Sequence, residues 1–223
     1  MAEKLPSRKK GSHEAIIRAA ERLFLERGFG GVSMDELAAE AGVARRTLYN
    51  QFPSKEDIFR EMLLGVSARI GDALPPGIET QGDVETVLRL IAKGVLAFQA
   101  PAEFVGLLRM TVADARQFPW ITTAFDSVLS PYLERFTRYL SHMTSLGVLN
   151  CPDSLLAAQQ FLGLLNGATL WPRIFNPGNV SSSSEAVAEQ TVQMFLLRYR
   201  VDTSPQNTCF REKPNTAFQA NLA

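Results

Sequence analysis

The chain has 223 residues, 46% of them apolar and 21% charged, and its 23 basic residues balance 23 acidic ones. That length fills one large domain or two small ones with a proper core. Zero net charge excludes a global pull towards polyanions, so any nucleic-acid affinity must come from a local patch.

The opening "MAEKLPSRKK" has charges but no apolar run behind it, so no signal peptide is expected. Apolar residues then recur at three- and four-residue spacings, and alternating runs are rare. An all-α protein of about nine helices follows from that pattern. The first helix is expected from Ser12, a good N-cap, with Ile16, Ile17, Ala20, Leu23 and Phe24 on one face. Gly28 and Phe29 after it suit a Schellman ending. "SMDE" (Ser33 to Glu36) reads as a capping box opening a second helix, which Gly42 closes. A third helix runs from Ala44 to Phe52, where Pro53 stops it. "SKED" (Ser54 to Asp57) opens a fourth, reaching about Gly71 with an acidic first turn.

"LPPGIETQGD" (Leu74 to Asp83) breaks the pattern. Further helices are expected over 83–99, 101–116, 119–147, 153–175 and 185–200, with Pro131 and Pro172 as candidate kinks. The stretch "LLAAQQFLGLLNGATLW" (Leu155 to Trp171) is interrupted by Gln159, Gln160 and Asn166, so it reads as a core helix and no membrane partner is expected. After Val201 no periodicity persists, which predicts a mobile tail over 204–223.

The third helix carries the functional signal. Advancing about 100° per residue puts Leu48 near Ala44, and sets Arg45, Tyr49, Arg46 and Asn50 along the opposite arc, at roughly 100°, 140°, 200° and 240°. Gln51, at roughly 340°, points partly inward. Two short helices joined at Gly42 form a helix-turn-helix whose second member suits a major groove. Arginine can bond guanine O6 and N7 with two parallel donors, and Asn50 can do likewise for adenine. Thr47 and Tyr49 can donate to phosphates. Lys55 sits where a helix N-terminus already favours an anion, and Arg8, Lys9 and Lys10 add a basic arm. Taken singly, each of these is an ordinary solvated residue; their joint placement makes the case.

"AIIRAAERLFLERGFGGVSMDELAAEAGVARRTLYNQFPSKEDIF" (Ala15 to Phe59), and within it GV-x-x-x-TLY-x-x-F-x-SKE, resembles the DNA-binding domain of TetR-type transcriptional regulators. The resemblance implies an N-terminal three-helix reading domain over 11–71, joined by its fourth helix to a helical ligand-binding and dimerisation domain over 72–203. It implies a double-stranded DNA operator as partner, with Ser33, Arg45, Arg46, Thr47, Tyr49, Asn50, Gln51 and Lys55 at DNA-touching positions. It also implies a homodimer, which would use the helices near 153–175 and 185–200, and a small effector. Gly163, Gly167 and Ala168 allow close helix approach there.

Phe98, Phe104, Leu108, Phe125, Phe161, Asn166 and Trp171 are candidate pocket residues for an apolar or aromatic effector; plain core is the alternative for each ring. Arg109 and Asp114 are further candidate polar anchors, with surface or structural roles as the alternative. Cys151 and Cys209 lack CxxC spacing, so neither metal nor disulfide scaffold is expected, and a reducing cytoplasm is the expected location. His13, expected to be solvated, and His142 have no ligand-spaced neighbours, and no GxSxG, Walker or GxGxxG motif with the right context occurs. Neither cofactor nor enzymatic activity is therefore expected. A competing reading is a helical ligand-sequestering or partner-binding protein that no longer reads an operator.

Overall fold

The structure is a computed structural model that describes residues 7–74, 76–77, 82–176 and 183–201, with side chains from Gly11 onward. The tail over 204–223, Cys209, and the side chains of Arg8, Lys9 and Lys10 lie outside the described residues. Among those described, nine helices form and no strand does: α1 (Ser7–Arg27), α2 (Met34–Glu40), α3 (Arg45–Tyr49), α4 (Lys55–Ala73), α5 (Val84–Gln99), α6 (Ala102–Asp114), α7 (Trp120–Ser145), α8 (Ser154–Phe175) and α9 (Ser184–Tyr199).

Helices α4, α5 and α8 show why they start where they do. Ser54, Asp83 and Asp153 accept from the N–H groups of Asp57, Thr86 and Leu156, satisfying a first-turn donor in each case. Two expectations about α1 change. It begins at Ser7, so Ser12 is internal and its hydroxyl accepts from Gln51 Nε2 at 2.9 Å. Its C-terminus is also the simpler left-handed ending: Gly28 (φ 74°) bonds back to Phe24 O at 2.9 Å, without a Schellman pair. The Schellman pair closes α2 instead. Gly42 (φ 64°) bonds Ala39 O at 3.1 Å and Val43 N–H bonds Ala38 O at 3.0 Å.

Pro131 and Pro172 each sit inside an unbroken helix, so neither splits α7 or α8. The break that does bend the chain lies at Pro101, where α5 and α6 meet at 76°. No single helix among the described residues is long and apolar enough to cross a membrane.

The core is continuous from Ile16 of α1 to Tyr199 of α9. Helix α4 belongs to both ends of it, packing on α1 as well as on α5 and α7. Ile58, Phe59, Met62, Leu63, Val66 and Ile70 make up its buried side. An isolated antiparallel bridge between Leu149 and Arg200 ties the end of α9 to the α7–α8 link. Cys151 is free and buried beside that link, and its burial pushes the thiol pKa up.

The α4–α5 crossing is tight. A Cβ on Gly94 would lie 2.4 Å from Ala73 O and 2.5 Å from Leu74 Cδ2. Gly94→Ala should therefore force α5 from the end of α4 and cost about 1–3 kcal/mol, the usual range for overpacking. A thermal melt checks this; at roughly 2–4 °C per kcal/mol, the midpoint should drop by several degrees. An unchanged midpoint would mean that the crossing widens freely.

Candidate nucleic-acid interface

The reading surface is built on a small hydrophobic floor. Leu37 and Ala38 of α2, Leu48 of α3 and Phe52 beyond it are buried in the same cluster as Ile16, Ala20 and Phe24 of α1. Val43 packs against that cluster from the turn. With Leu48 and Phe52 pointing in, helical geometry sends Arg45, Arg46, Tyr49 and Asn50 outward. All four are exposed, Tyr49 to 48% of its surface, and Thr47 is half-buried between the two sides.

Arg45 forms an ion pair with Asp35 of α2. The Arg46 side chain, by contrast, makes no hydrogen bond or ion pair among the described residues, so its five donors face solvent. Ser33 caps α2. It donates its hydroxyl (2.7 Å) and its backbone N–H (2.8 Å) to Glu36 Oε2, while its Oγ accepts from Glu36 N at 3.3 Å. Those bonds, then the nearby Arg27 guanidinium, hold the Glu36 carboxyl below the usual carboxylate range.

Gln51 and Lys55, also on the expected list, bond back into the fold. Gln51 reaches back to Ser12 on α1, as its inward helical angle allows. Lys55 donates to Phe29 O and to Val32 O, each at 2.9 Å, and its ammonium lies 4.5 Å from the Phe29 ring centroid. Two of its three protons thus close the bend from Gly28 to Val32 onto the start of α4, because that bend presents carbonyls no helix satisfies. Lys55 still borders an open groove with Ser33, Tyr49 and Ser54. His13, expected to be solvated, is half-buried, with its ring 5.0 Å from that of Phe52 and Nε2 3.7 Å from Glu61.

Sequence reasoning missed a link between this unit and the remaining helices. Phe29 N–H, free because α1 lacks the Schellman pair, donates to Asp114 Oδ2 at 2.6 Å across 85 residues. Phe29 is also the hub of a ring cluster, edge-on to Phe59, Phe118 and Trp120. Asp114 is therefore a latch from the end of α6 to the end of α1, not a pocket anchor. Asp114→Ala should cost about 1.5–3 kcal/mol, the range for a bond to a charged acceptor. The melting midpoint should fall by roughly 3–12 °C; a fall under about 1 °C would deny the latch any weight.

In the second half, a cavity of about 280 Å³ opens between α4, α5, α7 and α8. Ile70, Leu74, Ile91, Val95, Leu133 and Phe136 give it apolar walls, and Phe98 and Asn166, expected on the list, line it. The other expected pocket residues sit elsewhere. Phe104 and Phe125 are buried against each other, and Phe161 is wedged between Phe136 and Phe195. Leu108 packs on the core, and Trp171 is exposed and stacked on Phe175. Ring content alone gave no way to separate core from cavity. Gln99, which does line the cavity, carried no sequence signal because its neighbours on α5 are apolar.

Helices α8 and α9 also leave an apolar surface uncovered. Leu155, Leu156, Leu164, Trp171, Met194, Phe175 (80%) and Leu197 (87%) are exposed there. A shallow groove between the two helices runs past Gly163 and Leu164 to Met194 and Tyr199. Among the described residues no group of three His, Cys, Asp or Glu could hold a metal ion.

Comparison with known proteins agrees with this layout. Residues 16–62 match the model for bacterial regulatory proteins of the tetR family, and residues 86–201, just over half of the chain, match that for the C-terminal domain of AefR-like transcriptional repressors. The chain is 26% identical over 194 residues to YezE, an uncharacterized HTH-type transcriptional regulator of Bacillus subtilis, spanning 85% of this chain and 92% of YezE. It is 44% identical over 52 residues to the HTH-type transcriptional repressor BepR of Brucella suis, 23% of this chain and 25% of BepR. A protein of Mesorhizobium loti assigned to the TetR family superposes with a TM-score of 0.74 at 26% identity, covering 88% of this chain and all of that one. The flavonoid-responsive regulator FrrA follows with a TM-score of 0.69 and 28% identity, over 85% of this chain and 97% of FrrA. Both halves of the molecule thus match models of one family, and the chain belongs to the TetR family of bacterial helix-turn-helix transcriptional regulators.

Proposed function

We propose that this regulator is a ligand-responsive repressor that binds a pseudo-palindromic operator as a homodimer, in the cytoplasm where its DNA lies. The observation that carries this reading is the outward set Arg45, Arg46, Tyr49 and Asn50, held on a floor of buried Leu48 and Phe52. Residues 11–71 read DNA and 72–203 hold the effector and the dimer contact. In this reading Arg46 and Asn50 contact bases, and Ser33, Thr47 and Tyr49 contact the backbone. Arg45 exchanges Asp35 for DNA. Gln51 positions the third helix, and Lys55 the bend between α1 and α2, instead of touching the duplex.

Helix α4 supports a route from effector to DNA. Ile70 and Leu74 line the cavity, and α7 grips the same helix through Tyr132 OH, which donates to Ser67 O at 3.0 Å. A filled cavity shifts α4 and so the spacing of the two reading heads, provided that the ligand prefers one spacing. FrrA responds to flavonoids by its name, and a planar, largely apolar effector suits the cavity here.

The test is a gel shift and footprint on the DNA upstream of the protein's own gene. A protected, pseudo-symmetric site bound more tightly than random duplex supports the reading. Equal binding to both, or none, favours a ligand-sequestering protein instead.

A further inference from the structure

The cavity carries one polar atom that the fold leaves without a partner. Gln99 is only 6% exposed, yet its side-chain Oε1 has no hydrogen bond, while its Nε2 donates to Asn166 Oδ1 at 3.1 Å. The Gln99 backbone is held as well: its carbonyl accepts from Arg173 Nη1 at 2.8 Å. The amide is therefore held through Nε2 and through the backbone carbonyl, and its buried Oε1 is left without a donor in a residue that lines the cavity. A buried acceptor without a donor costs free energy in the empty protein. A ligand that donates to it recovers that cost, and a ligand that cannot leaves it in place.

The charge of the lining narrows the ligand further. None of the cavity's described lining residues is basic, and the one ionisable acid, Asp126, is exposed at the edge. A carboxylate or phosphate inside would be desolvated and would face Asp126, while the guanidiniums behind the lining, Arg135 and Arg173, are already bonded to the carbonyls of Leu74 and of Gln99 and Ala100.

We propose that the cavity takes a neutral, largely apolar molecule bearing a hydroxyl or N–H donor, and that Gln99 Oε1 is the acceptor that selects it. This assignment rests on reading the cavity as the effector site. Asp126 and Ser130, nearer solvent, discriminate less because water satisfies them when no ligand does.

Three probes of one ring system test it by calorimetry on the full chain: 2-naphthol (donor), 2-methoxynaphthalene (acceptor only) and 2-naphthoate (anion). The expected order is 2-naphthol at least about tenfold tighter than 2-methoxynaphthalene, with 2-naphthoate weakest, since a site built for a donor rejects the analogue lacking it. Gln99→Met combined with Asn166→Ala removes the orphan acceptor together with the Asn166 Oδ1 that would otherwise lose its donor, and should fold; it should bring the two neutral probes within about twofold. Leu129→Trp, which fills the cavity, should abolish binding of all three and so locates the site. Equal affinities in the unmodified protein, a preference that survives in the double variant, or no binding up to the solubility limit overturns the assignment. The effector reading fails separately: donor-selective binding that leaves operator affinity unchanged in the gel shift would keep this site and remove its regulatory role.

Discussion

Arg46→Ala should abolish most sequence preference while leaving the fold intact. The Arg46 side chain is exposed and has no partner among the described residues, so its loss removes no contact that stabilises the monomer. A bidentate base contact is worth about 1–3 kcal/mol of discrimination, and a two-fold dimer loses it twice, so the specific complex should weaken by about 2–6 kcal/mol. Binding to random duplex should fall far less, because that term comes from phosphates. Arg45→Ala should have a smaller effect, since Arg45 already has Asp35 as a partner and must give up that pair to reach a base. Lys55→Ala should behave differently again. It removes the donors to Phe29 O and Val32 O, so its signature is a lower melting point. Fluorescence anisotropy on operator and scrambled duplexes, beside thermal melts, separates the three. If Arg46→Ala lowers both duplex affinities equally, Arg46 is a phosphate contact and base reading lies elsewhere on α3.

This contrast shows which parts of the site were legible in the sequence. Elements with local causes could be read directly: the Ser33–Glu36 box, the Ser54 cap and the glycine at the α2–α3 turn all appear where the pattern put them. The outward arc of α3 was equally legible, because Leu48 and Phe52 fix its rotation. The carbonyl partners of Lys55 were not legible, because helix position alone says nothing about carbonyls brought near from a distant bend. The same holds for the Phe29–Asp114 latch, where both partners look unremarkable until 85 intervening residues fold them together. The cavity follows this rule too. Rings at helical spacing fill a core as readily as they line a pocket, and which of the two they do depends on interhelical distances that no single helix encodes.

Leu197→Glu should turn the protein into a folded monomer that binds its operator poorly. Leu197 is 87% exposed on α9 and Phe175 80% exposed on α8, beside Trp171, Leu164 and Met194. Burying each large apolar side chain against a second copy contributes about 1.5–3 kcal/mol. Two-fold symmetry brings every substitution into the interface twice, so two carboxylates would be desolvated there without a counter-ion. The monomer itself should not suffer, because the mutated side chain already faces water. Light scattering at micromolar concentration should report half the parent mass with an unchanged helical circular dichroism spectrum. Operator affinity should fall by about 10²–10⁴, the advantage gained when two linked reading heads engage one duplex. Val112→Glu is the matched control: Val112 is 62% exposed on α6, on neither of the two helices of this surface, and the variant should keep the parent mass. A Leu197→Glu protein that keeps both its mass and its operator affinity would place the dimer contact on another face. The two α3 helices would then need a different axis to meet half-sites about 34–36 Å apart.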